Sequence, residues 1–269
     1  MDEIMKIESL QNPKIKQVVR LRNRRDREET GKFLIEGYRE LSRAVEHQYP
    51  VEQLFFCEEL FLGTNENTLI EKIKKQAETY SCTKSVFQKI SYRDRPDGLL
   101  AIAPQQHRSL SELKLPSQAP LYIVAEAIEK PGNLGTILRC ADAVGADALL
   151  VCDACTDIYN PNVVRASVGT LFTVPIIEAT SKEAIQWLKE NRIQILAATP
   201  HSEIEYTSAN LSQPAAIVMG TEQYGLSETW MNMADVKLRI PMQGCADSLN
   251  VAMATTVLLF EAMRQRKNH

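Results

Sequence analysis

The chain has 269 residues, 44% of them hydrophobic and 24% charged, with a formal net charge of −3. That balance is the balance of a globular protein of one large or two ordinary domains, and no apolar run approaches the ~20 residues that a bilayer crossing needs. Six cysteines in a chain this long call for no disulfide framework, and the opening MDEIMKIESL lacks the layout of a secretory signal, so the protein is expected in the cytoplasm.

Charge is unevenly placed. Residues 1–105 hold 18 Lys/Arg against 17 Asp/Glu, and the remainder holds 13 against 17. Within the first part, residues 14–27 (KIKQVVRLRNRRDR) carry seven basic side chains and one acid. Such a run either binds phosphates or forms a solvated helix face.

Asn12-Pro13 supplies an N-cap and a first-turn proline; Ile15, Val18, Val19 and Arg22 follow helical spacing, and Gly31 stops the helix. Short apolar runs follow at KFLIEG, EQLFFC and GLLAIA, separated by helical compositions such as ENTLIEKIKKQAET. This alternation predicts a small α/β domain over residues 1–104. Residues 105–119, rich in proline and polar side chains, read as a linker.

The pattern restarts in residues 120–269 with LYIVAE, a helix from about residue 133, ALLVCD, FTVPIIE, a helix near 181–190, QILAAT, AAIVMG, VKLRI and a long last helix. Strands apolar throughout belong to a mostly parallel sheet covered on both faces, so this domain is also α/β. On the last helix, Ser248 is a plausible N-cap, with Leu249, Met253, Thr256, Phe260 and Met263 as the buried face.

The loop KPGNLG after LYIVAE lies where open parallel sheets bind ligands. Its glycines, Gly132 and Gly135, fit neither the dinucleotide fingerprint nor a P-loop. In the helix that follows, Leu134, Ile137, Leu138, Ala141 and Val144 form the buried stripe, with Gly135, Arg139 and Asp142 on another face. Arg139 leans back over Gly135 toward Asn133; alternatively it pairs with Asp142 at the surface. Two further loops carry polar groups after apolar strands: IVMGTEQYGL at 217–226 and IPMQGCADSLNV at 240–251.

Taken together, Asn133-x-Gly135-x-x-x-Arg139, Gly220-Thr-Glu222-x-x-Gly225-Leu226 and Ile240-Pro-Met with Ser248-Leu249-Asn250-Val251 resemble the SpoU (TrmH) family of RNA ribose 2′-O-methyltransferases. VRASVGTLFTVP at 164–175 is similar to a fourth family stretch. NPKIK, GKFLIEGYRE and PDGLLAIA resemble the family's L30e-like substrate-binding domain. Ala252 stands where the third motif usually has serine. The resemblance implies a trefoil-knotted SPOUT-type catalytic domain, a homodimer, S-adenosylmethionine as methyl donor and RNA as substrate. Ribosomal RNA is the first expectation; transfer RNA, or a non-catalytic role in ribosome assembly, is the alternative.

By the same resemblance, Arg139, Asn133, Glu222, Ser248 and Asn250 are the catalytic candidates, and Gly220, Ile240, Leu249, Thr199 and Met242 the cofactor contacts. Lys14, Lys16, Arg20, Arg22, Arg24, Arg25 and Arg165 are expected on RNA phosphates. The sulfonium donor needs no metal, and none is expected: Cys152 and Cys155 form a lone CxxC without a second ligand pair.

Overall fold

A computed structural model describes residues 4–115 and 119–267. The chain divides into two compact units, Met1–Gln106 with Ile158–Thr173, and His107–Asp157 with Val174–His269. Of the linker expected at 105–119, residues 116–118 lie outside the described residues.

In the first unit, β1 (Met5–Ile7) precedes α1 (Pro13–Arg20), α2 (Arg24–Thr30), β2 (Lys32–Glu36) and α3 (Tyr38–Glu46). β3 (Gln53–Phe56), α4 (Glu66–Ile73), β4 (Glu78–Cys82), α5 (Lys84–Ile90) and β5 (Leu99–Pro104) complete its N-terminal part. The sheet order is β1-β4-β3-β5-β2, with β4 parallel to β1 and β3, and β5 antiparallel to β3 and β2. β1 and β4 were not expected from the sequence, because one is three residues long and the other, ETYSC, is mostly polar.

The single helix expected between Asn12 and Gly31 is two. Asn12 caps the first by accepting from Lys14 N, and Gly31 at φ +64° ends the second. The break has a physical cause in Arg27, 1% exposed, whose guanidinium donates to the carbonyls of Leu21 and Arg22. A buried cation thus satisfies acceptors that the end of α1 leaves open.

The segment 158–173, read from the sequence as part of the C-terminal domain, groups with the first unit. It contains α7 (Pro161–Ser167). Aromatic packing accounts for its place: Tyr159 lies 4.4 Å from Phe33 between ring centroids, and Phe172 lies 4.8 Å from Tyr49. With Phe172 so engaged, the strand expected from FTVPIIE begins only at Ile176.

The second unit contains β6 (Leu121–Glu126), α6 (Pro131–Val144), β7 (Ala148–Cys152), β8 (Ile176–Ala179), α8 (Ser181–Glu190) and β9 (Gln194–Ala198). β10 (Ala215–Met219), α9 (Glu228–Met233), β11 (Val236–Leu238) and α10 (Val251–Arg266) follow. The sheet is parallel throughout, in the order β11-β9-β10-β6-β7-β8. β6, β7 and β10 are buried at every position, as strands covered on both faces must be.

α6 packs against α10, and Cys140 Sγ meets Thr256 Oγ1 at 2.9 Å. Of the stripe expected on α6, Leu134, Ile137, Leu138 and Ala141 are buried and Val144 is half-buried; Gly135, expected on another face, is buried too. On α10 the expected face is wrong. The buried residues are Val251, Ala252, Thr255, Leu258, Leu259, Glu261 and Ala262, whereas Met253 is 63% and Phe260 43% exposed. The helix has apolar side chains on two faces, and the more conspicuous face points outward. Its N-cap is Asn250, not Ser248: the Asn250 side chain accepts from Ala252 N and Met253 N.

Candidate active site

Three loops leave the carboxyl ends of the parallel strands β6, β10 and β11, with β9 between the last two. After β10 the chain reverses within residues 220–226. Thr221 N donates to Gly225 O at 2.9 Å and Gly225 N returns to Thr221 O at 3.1 Å. The turn is so tight that a Cβ on Gly220 would stand 2.3 Å from the Gly225 carbonyl carbon and oxygen. Gly220 is therefore a steric requirement, and the turn sends Glu222 toward the loop after β6.

Glu222 Oε1 accepts from Asn133 Nδ2 at 2.6 Å and from Lys130 N at 3.4 Å; Oε2 accepts from Glu129 N at 3.3 Å. Burial pushes this carboxyl up, but the Asn133 amide and the backbone donors outweigh it and hold its pKa below the ordinary value. Glu222 is thus an ionised acceptor near neutrality. Asn250 Nδ2 donates to Asn133 Oδ1 at 3.1 Å, while its own oxygen caps α10. The sequence Asn250, Asn133, Glu222 fixes the orientation of every amide in it and ties the three loops together.

Beside this chain of hydrogen bonds lies a cavity of about 560 Å³, lined by the ends of β9, β10 and β11 and the start of α10. Its wall includes Thr199, Gly220, Ile240, Met242 and Leu249, all five positions singled out for cofactor contact. Glu222, Ser248 and Asn250 also line it; Asn133 touches it only through its partners, and Arg139 is not part of the wall. Arg139 is exposed on α6. A small-ligand cavity is typically ~300–1,000 Å³, mostly apolar with a few placed polar groups. Here Ile240, Met242 and Leu249 supply the apolar surface and the Gly220 turn brings backbone close, a lining that fits the nucleoside and methionine parts of S-adenosylmethionine.

A sequence profile described as the SpoU rRNA methylase family matches residues 120–260. The chain belongs to that family. An MRM3-like substrate-binding domain profile matches residues 12–101. Among the relatives of this SpoU chain is the 23S rRNA (uridine(2479)-2′-O)-methyltransferase of Streptomyces viridochromogenes, 31% identical over 91% of this chain and 87% of that protein. The 23S rRNA (guanosine(2553)-2′-O)-methyltransferase RlmP of Bacillus subtilis is 26% identical over 94% and 97%.

A crystal structure of an RNA 2′-O ribose methyltransferase superposes with a TM-score of 0.87, at 41% identity over 98% of this chain and all of that one. The SpoU methyltransferase AviRb of Streptomyces viridochromogenes, in complex with AdoMet, gives 0.87 at 30% identity, over 96% and 99% of the two chains.

The basic run is largely engaged within its own unit. Lys14 pairs with Glu78 at 2.7 Å, Arg20 with Asp26, Arg24 with Glu28 and Arg25 with Glu29. Arg22 donates to the carbonyls of Lys89 and Ser91. Lys16 and Arg165 are exposed. Exposed pairs contribute little and exchange readily for another anion, whereas Arg22 and Arg27 hold backbone carbonyls. No group of three or more His, Cys, Asp or Glu able to hold a metal occurs among the described residues. Cys152 is buried, with its thiol pKa pushed up, and Cys155 is exposed.

Proposed function

We propose that the protein transfers the methyl group of S-adenosylmethionine to a ribose 2′-hydroxyl of ribosomal RNA, in the cytoplasm. The observation that carries this reading is the hydrogen-bonded line Asn250–Asn133–Glu222, which joins three loops distant in sequence beside one cavity. Thr199, Gly220, Ile240, Met242 and Leu249 would hold the donor. When bound, the donor supplies a methyl on a positively charged sulfur.

The residues of this chain bind and orient. Glu222, kept ionised and committed to Asn133 and two backbone N–H groups, is a brace; its lowered pKa makes it a poor proton acceptor. Asn133 is held in one amide orientation. Ser248 presents a hydroxyl at the cavity wall. Arg139 brings a planar guanidinium cation to the RNA phosphate and to the negative charge growing on the 2′-oxygen. Transfer to the 2′-oxygen would leave the donor as a neutral thioether, with the hydroxyl proton released to solvent.

The same reading includes a homodimer. Met253 and Phe260 stand exposed on α10, a face that a second copy would cover, and Arg139 would then act at a cavity of the pair. It also includes the trefoil passage of the C-terminal segment, for which the anchoring of Asn250 on Asn133 and of α10 on α6 is the support. Phosphates would be met by Lys14, Lys16, Arg20, Arg24, Arg25 and Arg165.

Radiolabelled methyl transfer to ribosomal RNA, followed by mapping of ribose methylation, tests the proposal. Label in one or a few 2′-O positions is the expected result. Label confined to transfer RNA would move the substrate, and no label in any RNA despite donor binding would leave a non-catalytic binder.

A further inference from the structure

The first unit holds a cavity of about 780 Å³ whose wall is drawn from stretches far apart in the sequence. Four separate stretches build its wall: the start of α3, the loop at 62–66, the loop at 93–97, and Arg165 on α7. Arg93 anchors the wall, donating to Glu36 O at 2.7 Å and Glu40 Oε1 at 2.6 Å.

Two carboxylates in this wall are half-used. Glu66 is 3% exposed; its Oε1 accepts from Gly63 N at 2.7 Å, and its Oε2 is buried with no donor. Asp97 Oδ2 accepts from Tyr38 N at 2.8 Å and lies 3.8 Å from Arg93 Nη1, and its buried Oδ1 has no hydrogen-bond donor. A buried carboxylate oxygen without a donor is costly and is rarely kept without a use. Arg39, Arg95 and Arg165, by contrast, are exposed. The wall therefore holds two buried carboxylate oxygens that lack hydrogen-bond donors, and its mouth carries three arginines beside Asp94.

A ligand that matches has N–H donors at one end and negative charge at the other. A nucleotide is built that way. We propose that this cavity takes one nucleotide of the RNA substrate, with an exocyclic amino group on the base facing Glu66 and Asp97 and the phosphate meeting Arg39, Arg95 and Arg165. This rests on RNA being the substrate, as proposed above. Cytosine, adenine and guanine carry such an amino group. Uracil presents a carbonyl oxygen where cytosine has its amine, and that oxygen would face a carboxylate.

Fluorescein-labelled hexacytidylate and hexauridylate, titrated into the full-length protein by fluorescence anisotropy, make the test. The wild type should bind hexacytidylate about tenfold more tightly. Glu66→Gln keeps an acceptor for Gly63 but turns a donor toward the base, and should erase that preference. Arg95→Ala should weaken both oligomers and flatten their salt dependence. In case Glu66→Gln does not fold, ultraviolet crosslinking of hexacytidylate to the wild type should mark peptides containing residues 62–66 or 93–97.

Equal affinity for the two oligomers, a preference that survives in folded Glu66→Gln, crosslinks only elsewhere, or a response to magnesium ions without any to RNA would each overturn the proposal. Methyl transfer to ribosomal RNA by a wild type without base preference would sink this inference alone. Base preference without methyl transfer would support the cavity and sink the catalytic reading.

Discussion

Asn133 and Glu222 are 89 residues apart in the chain, and 2.6 Å separates the amide nitrogen of one from the carboxylate of the other. This bond connects the first turn of α6 to the turn after β10, and Asn250 extends it to the head of α10. Asn133→Ala should lower unfolding free energy by about 1.5–3 kcal/mol, the range for a hydrogen bond to a charged group. Its methyl transfer should fall at least tenfold, because the brace and the cavity wall share Glu222. Denaturant unfolding and initial rates with ribosomal RNA check the two effects.

The same bond sets a pH dependence. The carboxyl of Glu222 titrates below its ordinary 4.5 in the folded protein. Its ionised form therefore stabilises the fold above about pH 4.5, and that contribution fades as pH falls through the lowered folded value. The urea midpoint should hold from pH 7 to 5 and decline below, with a shallower decline in Glu222→Gln. An identical acid limb in the two proteins would show that the carboxylate is not held as described.

Gly220→Ala places a methyl where the Gly225 carbonyl already lies, 2.3 Å away. The turn must open, and the wall facing Leu249 and Ile240 opens with it. Isothermal titration with S-adenosylmethionine should show affinity reduced by tenfold or more, with little change in the sheet's circular dichroism.

Arg139→Ala should reduce turnover by about 10²–10³, the usual loss on removing one preorganised electrostatic contact. Donor affinity should change less than threefold, since Arg139 does not line the cavity. Near-normal turnover in single-turnover assays would remove Arg139 from the chemistry.

Met253→Glu with Phe260→Glu places two charges on the exposed face of α10. On the proposed dimer, the wild type should sediment as a pair and the double variant as a folded monomer of lower activity. A double variant that still sediments as a dimer would direct attention to another surface.

Periodicity and turn residues reveal most of the second unit. Its strands are long apolar runs, and Asn12-Pro13 and Gly31 act as the sequence suggests. Two kinds of feature stayed hidden. An apolar stripe such as Met253 and Phe260 reads as core whichever way it faces, so the sequence points to the outward face of α10 as the inward one. Cavities assembled from distant stretches leave no spacing to detect: Glu66, Asp97 and Arg165 share a wall but no motif. Composition also treats every arginine in residues 14–27 alike, although Arg27 is a buried helix cap and Arg24 and Arg25 are surface cations. The three motif loops were legible because each had its own polar residues after a strand; the bonds joining them were not.

Asn250, which closes the line of hydrogen bonds, is also the residue that starts the last helix, and Arg266 at the far end of that helix reaches the carbonyls of Ala119, Pro120, Leu211 and Gln213. The helix that shuts the pocket is thus fastened at both its ends, and the recess keeps its shape only while both fastenings hold.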